Sequence, residues 1–203
     1  MDEVREKLER RPYFFAAIED AAEAFHQRLD PADGILSAVK DWLKSEHGIV
    51  VRTLPVHAMP NQRRRFDRHS MRLFISERLS VHDQMREIVQ EACLLALRTE
   101  ILGELEALQL SGNEARRLAR FELARYAAFA LMMPYGTFLA QAQRARYDID
   151  LLRVRFGVSF EQAAVRLTML ARPGALGIPF FMMEMDHAGN RLRRSGEIGR
   201  AHV

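Results

Sequence analysis

The stretch Met85-Arg-Glu-Ile-Val-Gln-Glu-Ala-Cys-Leu-Leu-Ala-Leu97 narrows the fold more than any other. Met85, Ile88, Ala92 and Leu95 recur at intervals of three and four, which predicts a core-facing helix from about Ser80 to Arg98. Steps of three and four nearly return to one angle, so His82, Arg86, Gln90 and Cys93 share a second face. An apolar face of this size must be buried. The 203 residues, 48% hydrophobic and 28% charged, are enough for one domain or two small ones.

The flanking segments predict what that helix packs against. Residues 3–29 read as one or two helices divided at Pro12. Asp30-Pro31 predicts the start of a helix that Gly48 ends. The β-branched run 49–56 predicts a strand stopped by Pro55, and 61–79 a hairpin with an arginine-rich first arm. Ser111-Gly-Asn-Glu114 has the spacing of a capping box opening a helix that ends at Pro134. A short helix over 135–146 follows. Then comes a helix, a turn at Gly157, and a second helix opened by another box, Ser159 to Gln162. Residues 177–194 read as two strands around the turn 186–190. The fold class is therefore α+β: mainly helical with a small sheet, followed by a helix pair and a C-terminal β-hairpin.

Composition excludes several classes. The longest apolar run, 126–135, is too short for a bilayer, which takes about 20 residues. The charged N-terminus lacks the apolar stretch of a secretory signal. Cys93 stands alone, so neither a disulfide nor a cysteine-based zinc site can form. These features predict a cytoplasmic protein. Net charge is only +3, although all basic residues except Lys7, Lys40 and Lys44 are arginine. Arginine favours phosphate recognition, but a GC-rich genome gives the same excess, and the balance does not identify a nucleic-acid binder. The last seven residues, EIGRAHV, match what a sequencing adapter encodes in one frame. The natural sequence is expected to differ after about Gly196, which removes His202 from consideration.

Residues 86–90, Arg-Glu-Ile-Val-Gln, keep the spacing of a His-Glu-x-x-His zinc helix with the glutamate retained and both histidines replaced. Arginine repels a dication and glutamine is a poor zinc ligand. Glu87 then has no metal-bound water to deprotonate. Taken alone, Glu87 reads as part of a solvated helix face.

The stretch FELARYAAFALMMP, 121–134, resembles the second motif of the IrrE/ImmA metallopeptidase-like superfamily. Ala124 and Met133-Pro134 agree with that motif. Phe121 stands where the family's third ligand is expected, and Arg125 where Asn or Asp is usual. Glu122 is one residue out of place, rotated by about 100° from the cleft. The chain is more closely similar to the short-chain fatty acyl-CoA regulators over roughly 10–194. The stretches that carry this are LARYAAFALMMPYGTFLAQAQRARYDIDLL, RFGVSFEQAAVRLTMLARPGALGIPFF and MDHAGNRLRR.

That resemblance implies an Xre-type transcription factor with a degenerate zincin-like body that senses acyl-CoA thioesters such as propionyl-CoA. It implies a helical linker over 1–29, a degenerate metallopeptidase-like domain over 30–146, and the start of a truncated acyl-CoA regulator region over 147–196. Residues 197–203 would be the non-native tail. DNA would be bound by an N-terminal head missing from this chain. Expected ligand-binding residues are Arg86, Gln90, Phe121 and Arg125, lining the old peptidase cleft, where the arginines would supply positive potential to an anionic ligand. No metal site, cofactor, catalytic residue or membrane contact is expected, and a homodimer is one candidate assembly. A metallopeptidase with atypical ligands and a dimerisation or scaffold module stay open as alternatives.

Other features have two readings each. The pair 151–170 has helix-turn-helix spacing, in which Gln162 and Arg166 would face a DNA groove; the narrow polar face favours a structural helix pair. The basic run 63–69 suits coenzyme A phosphates or a solvated hairpin. The segment 177–185 suits a ligand pocket but more often belongs to a core. His82 and Asp83 point about 100° apart and make no catalytic pair. Gly-x-Ser-x-Gly, P-loop and dinucleotide fingerprints are absent.

Overall fold

A computed structural model describes residues 2–9, 13–185, 187 and 191–195 of the chain. The chain opens with α1 (Asp2–Glu9), α2 (Ala16–Leu29) and α3 (Ile35–His47). Gly48 ends α3 in the left-handed region, φ 66°, with its N–H on the Leu43 and Lys44 carbonyls. The chain then leaves as β1 (Val50–Leu54), and β2 (Arg64–Asp67) and β3 (Arg72–Ser76) form the expected hairpin. β3 is the centre of the sheet, parallel to β1 and antiparallel to β2. Its Leu73 and Ile75 are fully buried, and β2 forms an edge.

Then follow α4 (Val81–Ala96), α5 (Arg98–Ala107) and α6 (Asn113–Met132). Ser80 caps α4, accepting from the Asp83 N–H at 3.1 Å. Leu97 leaves the helical region, which separates α5 from α4 within a stretch that periodicity does not divide. α6 lies against α2, α4 and α5. Its Ala124, Ala127, Ala128 and Ala130 let neighbouring backbones come close on several sides, so the helix is buried nearly all round at its C-terminal half. Ile18, Ala22 and Phe25 of α2 enter the same core as Val89, Ala92 and Phe129.

The chain closes with α7 (Tyr135–Arg144), α8 (Ile149–Phe156), α9 (Phe160–Leu167), the short hairpin β4 (Ala171–Arg172) and β5 (Ala175–Leu176), and the antiparallel pair β6 (Met182–Met185) and β7 (Arg191–Ser195). Gly157 turns in the left-handed region between α8 and α9, and Ser159 with Gln162 forms the expected capping box. The α+β reading holds, with helices around a small mixed sheet and an added hairpin. Most of the turn 186–190 and the tail 197–203 lie outside the described residues.

Two expected helix starts move. Asp30 does not open α3: it is the left-handed C-cap of α2, φ 42°, and Gly34 at φ 94° holds the chain out of helix until Ile35. Ser111 does not cap α6 either. Its N–H and hydroxyl both donate to the Glu3 carboxylate, at 2.9 and 2.8 Å, and Gly112 takes the cap position. A carboxylate brought by α1 displaces the local box, a tertiary partner overriding a local signal.

Candidate functional site

Glu87 is not on a solvated face. It is 7% exposed, in the wall that α4 turns toward β2. Its carboxylate accepts from the guanidinium groups of Arg63 (2.9 Å), Arg64 (3.2 Å) and Arg86 (3.3 Å). Arg86 also pairs with Asp83 at 3.1 Å, and Arg64 with Glu91 at 3.4 Å. The run 63–69 therefore sends its first two arginines inward to the helix, while Arg65 lies over the Phe74 ring at 5.2 Å.

Two of the expected site residues meet. The Gln90 side-chain amide donates to the Phe121 carbonyl at 3.1 Å, joining α4 to α6. Phe121 itself is 44% exposed, and Arg64 stands 5.6 Å from its ring centre. One turn further along α6, Arg125 pairs with Glu122 at 2.6 Å and hydrogen-bonds the Tyr13 hydroxyl. Burial opposes the charge on Arg125, but Glu122 and Tyr13 outweigh it and hold its pKa above the ordinary arginine value. Arg86, Gln90, Phe121 and Arg125 thus border one α4–α6 seam. The expected free positive potential is not there: Arg63, Arg64, Arg86 and Arg125 are matched by Asp83, Glu87, Glu91 and Glu122. What persists is local. The Nε–H groups of Arg86 and Arg125 are buried and have no acceptor among the described residues.

This donor set does not fit zinc. A permanent cation, an amide already bonded to backbone and a phenyl ring stand at the three positions where the sequence resemblance expects ligands, and three guanidinium groups hold the glutamate. Among the described residues no group of three His, Cys, Asp or Glu side chains could hold a metal ion.

A second polar knot has no counterpart in the sequence reading. Arg166, 0% exposed, makes a bidentate pair with Glu19, 1% exposed, at 2.6 and 2.9 Å, and its Nε–H donates to the Met133 carbonyl. The Tyr126 hydroxyl donates to the same Glu19 at 2.6 Å. Burial, then the Glu19 charge, pushes the Tyr126 pKa well above its usual value. The DNA-reading alternative for α8–α9 fails here. Arg166 is locked in the core, and Gln162 is spent on the cap and on the His82 carbonyl at 3.0 Å. The available signal was an acid and an arginine each on an apolar stripe, Glu19 beside Phe15 and Ala22, Arg166 beside Ala163 and Leu170.

Tyr13, residues of 167–171 and the segment 176–180 line a largely apolar, half-open cleft of about 190 Å³. The segment 177–185 meets the core only in part: Phe180 and Met182 pack against it. Ile178, Pro179 and Phe180 line this cleft, and Met183 and Met185 are exposed.

Comparison with known proteins identifies the family and the fold. Residues 44–168 match the family model described as IrrE N-terminal-like domain, and residues 169–202 the one described as short-chain fatty acyl coenzyme A regulator, C-terminal. A propionyl-CoA carboxylase regulator of Cereibacter sphaeroides is 32% identical over 95% of the chain and 40% of its own length. The Mycobacterium tuberculosis regulator RamB is 30% identical over 89% of the chain and 42% of its own length. The PrpR regulator of the same organism is 42% identical over 52% of the chain and 23% of its own length. A solved Mycobacterium tuberculosis transcriptional regulator superposes with a TM-score of 0.87 at 31% identity, over 95% of this chain and 58% of that one. The chain thus spans about two-fifths of the length of the first two relatives.

Proposed function

The chain belongs to the IrrE N-terminal-like domain family, in its short-chain fatty acyl-CoA regulator branch, and on that premise we propose that it is the effector-sensing body of a bacterial transcriptional regulator and not an enzyme. The observation that carries this reading is the occupation of the peptidase centre. Arg86, Gln90 and Phe121 stand at the ligand positions, and Glu87, the would-be general base, is held by three arginines. Guanidinium groups gathered on that carboxylate repel a dication.

The effector is a short acyl-CoA. Arg86 and Arg125 each keep one buried Nε–H that a thioester or amide carbonyl of the ligand satisfies, with Gln90 and Phe121 beside them. A neutral acceptor suits this seam better than a phosphate, because its net charge is already balanced. DNA binding belongs to other parts of the full-length regulator, and the protein works in the cytoplasm.

Calorimetric titration with propionyl-CoA and acetyl-CoA tests the proposal, together with the thermal shift each produces. Saturable heat and a raised melting temperature are expected. No heat and no shift at millimolar ligand overturns it. Stoichiometric zinc in protein purified without added metal, together with peptidase activity that E87Q abolishes, reinstates the peptidase.

A further inference from the structure

We propose that the cleft between α9 and the 176–180 segment is the gauge of acyl-chain length, taking the alkyl end of the thioester; this rests on the acyl-CoA reading above. Its size sets the occupant. A volume of about 190 Å³ is below the roughly 300–1,000 Å³ of sites that enclose a drug-sized molecule, so the whole coenzyme does not enter. Its small size and hydrocarbon lining suit the alkyl part of a short acyl chain. The lining is apolar: Leu170, Leu176, Ile178 and Phe180 supply hydrocarbon.

The walls are fixed, which a gauge requires. On one side Leu167, Leu170 and their neighbours continue from Arg166, itself held by Glu19 and the Met133 carbonyl. On the other, the Gly177 N–H donates to the Leu170 carbonyl at 2.9 Å, and the Ile178 N–H to the Tyr147 hydroxyl at 3.3 Å. Gly177 presses so close that a Cβ there would lie 2.7 Å from the Leu170 Cβ, so no other residue lets the segment approach this far. The Tyr135 hydroxyl ties both strands of the adjoining hairpin, accepting from the Arg172 N–H and donating to the Ala175 carbonyl.

Tyr13 joins this cleft to the α4–α6 seam. Its side chain lines the cleft and its hydroxyl bonds Arg125, whose Nε–H lacks an acceptor. The polar end of a thioester at Arg125 and its alkyl end past Tyr13 give one continuous path. The cleft also straddles the boundary at 168–169 where the two family models meet, so filling it fixes the 176–180 segment against the peptidase-like body.

The test is calorimetry with CoA and with acetyl-, propionyl-, butyryl-, hexanoyl- and octanoyl-CoA on wild type, I178A and I178W. Ile178 is 53% exposed, so both variants should fold, which their melting curves check; L176W, at a 65% exposed position of the same wall, repeats the blocking test. Wild type should gain about fourfold in affinity per carbon from acetyl to butyryl and gain nothing beyond hexanoyl. I178A should move the optimum to a longer chain, and I178W and L176W should reduce acyl-CoAs to the affinity of CoA itself. If wild type binds acyl-CoA but all variants keep its chain-length ranking, the gauge is elsewhere and the effector reading survives. If wild type binds no acyl-CoA, the effector reading falls and the gauge with it.

Discussion

The two arginine–carboxylate knots of this molecule are built on opposite stoichiometries. In the core, one arginine, one glutamate and one tyrosine use nearly all their polar atoms on one another and on backbone. At the α4–α6 seam, three arginines crowd one glutamate, the first of them half exposed, and among the described residues two buried Nε–H groups have no acceptor. A fully satisfied buried network fixes geometry. An under-satisfied one near the surface has donors left over, and that is the character of a place where something binds. The contrast separates a structural anchor from a recognition seam, although both are made of the same residue types.

The largest effect should come from breaking the anchor. R166M leaves Glu19 charged and buried with only the Tyr126 hydroxyl as partner, which should cost about 3–5 kcal/mol in urea denaturation. Replacing both ends in E19L/R166M should recover most of that loss, because the penalty lies in the stranded charge. A double variant as unstable as R166M would mean that the pair itself carries the stability. The seam should respond less. E87Q keeps the shape and removes the charge that three guanidinium groups share; because Arg63 is half exposed and screened, about 1–3 kcal/mol is expected. A loss equal to that of R166M would erase the distinction between the two regions.

The anchor should also show in alkali. Tyr126 has its pKa raised in the folded state, first by burial and then by Glu19. The sign follows: the folded protein holds this proton more tightly than the unfolded chain, so the stabilisation is complete below the unfolded value of about 10 and is lost as pH rises through the folded value. Absorbance titration near 295 nm should leave one tyrosine protonated until the protein unfolds, and Y126F should remove that late step.

How much of this could be read from the residues depends on how local the cause is. α4 follows from its own periodicity, the turn at Gly48 from one glycine, and the β2–β3 hairpin from its arms. The meeting of α4 and α6 is legible in part, since Gln90 and Phe121, which the sequence reading places on one seam, are joined by a hydrogen bond. What the sequence alone hides is partnership at a distance. Glu19 and Arg166 lie 147 positions apart, and Arg63 and Arg64 reach Glu87 only once the hairpin lies against α4. Glu87 therefore reads as a solvated residue, and the structural helix pair favoured for 151–170 gives no hint of the acid that Arg166 meets.

The smallest effect isolates that lesson in two serines. Ser111 and Ser159 each precede a capping-box glutamate or glutamine by three residues and look equivalent in the sequence. Only Ser159 makes the box, its hydroxyl accepting from the Gln162 N–H at 3.1 Å while the Gln162 side chain accepts from the Ser159 N–H at 3.0 Å. S159A should cost about 1 kcal/mol. S111A removes only the hydroxyl bond to Glu3 and keeps the backbone one, so it should cost less than S159A. Equal losses would mean that α6 depends on Ser111 after all, and that α1 does not substitute for the cap.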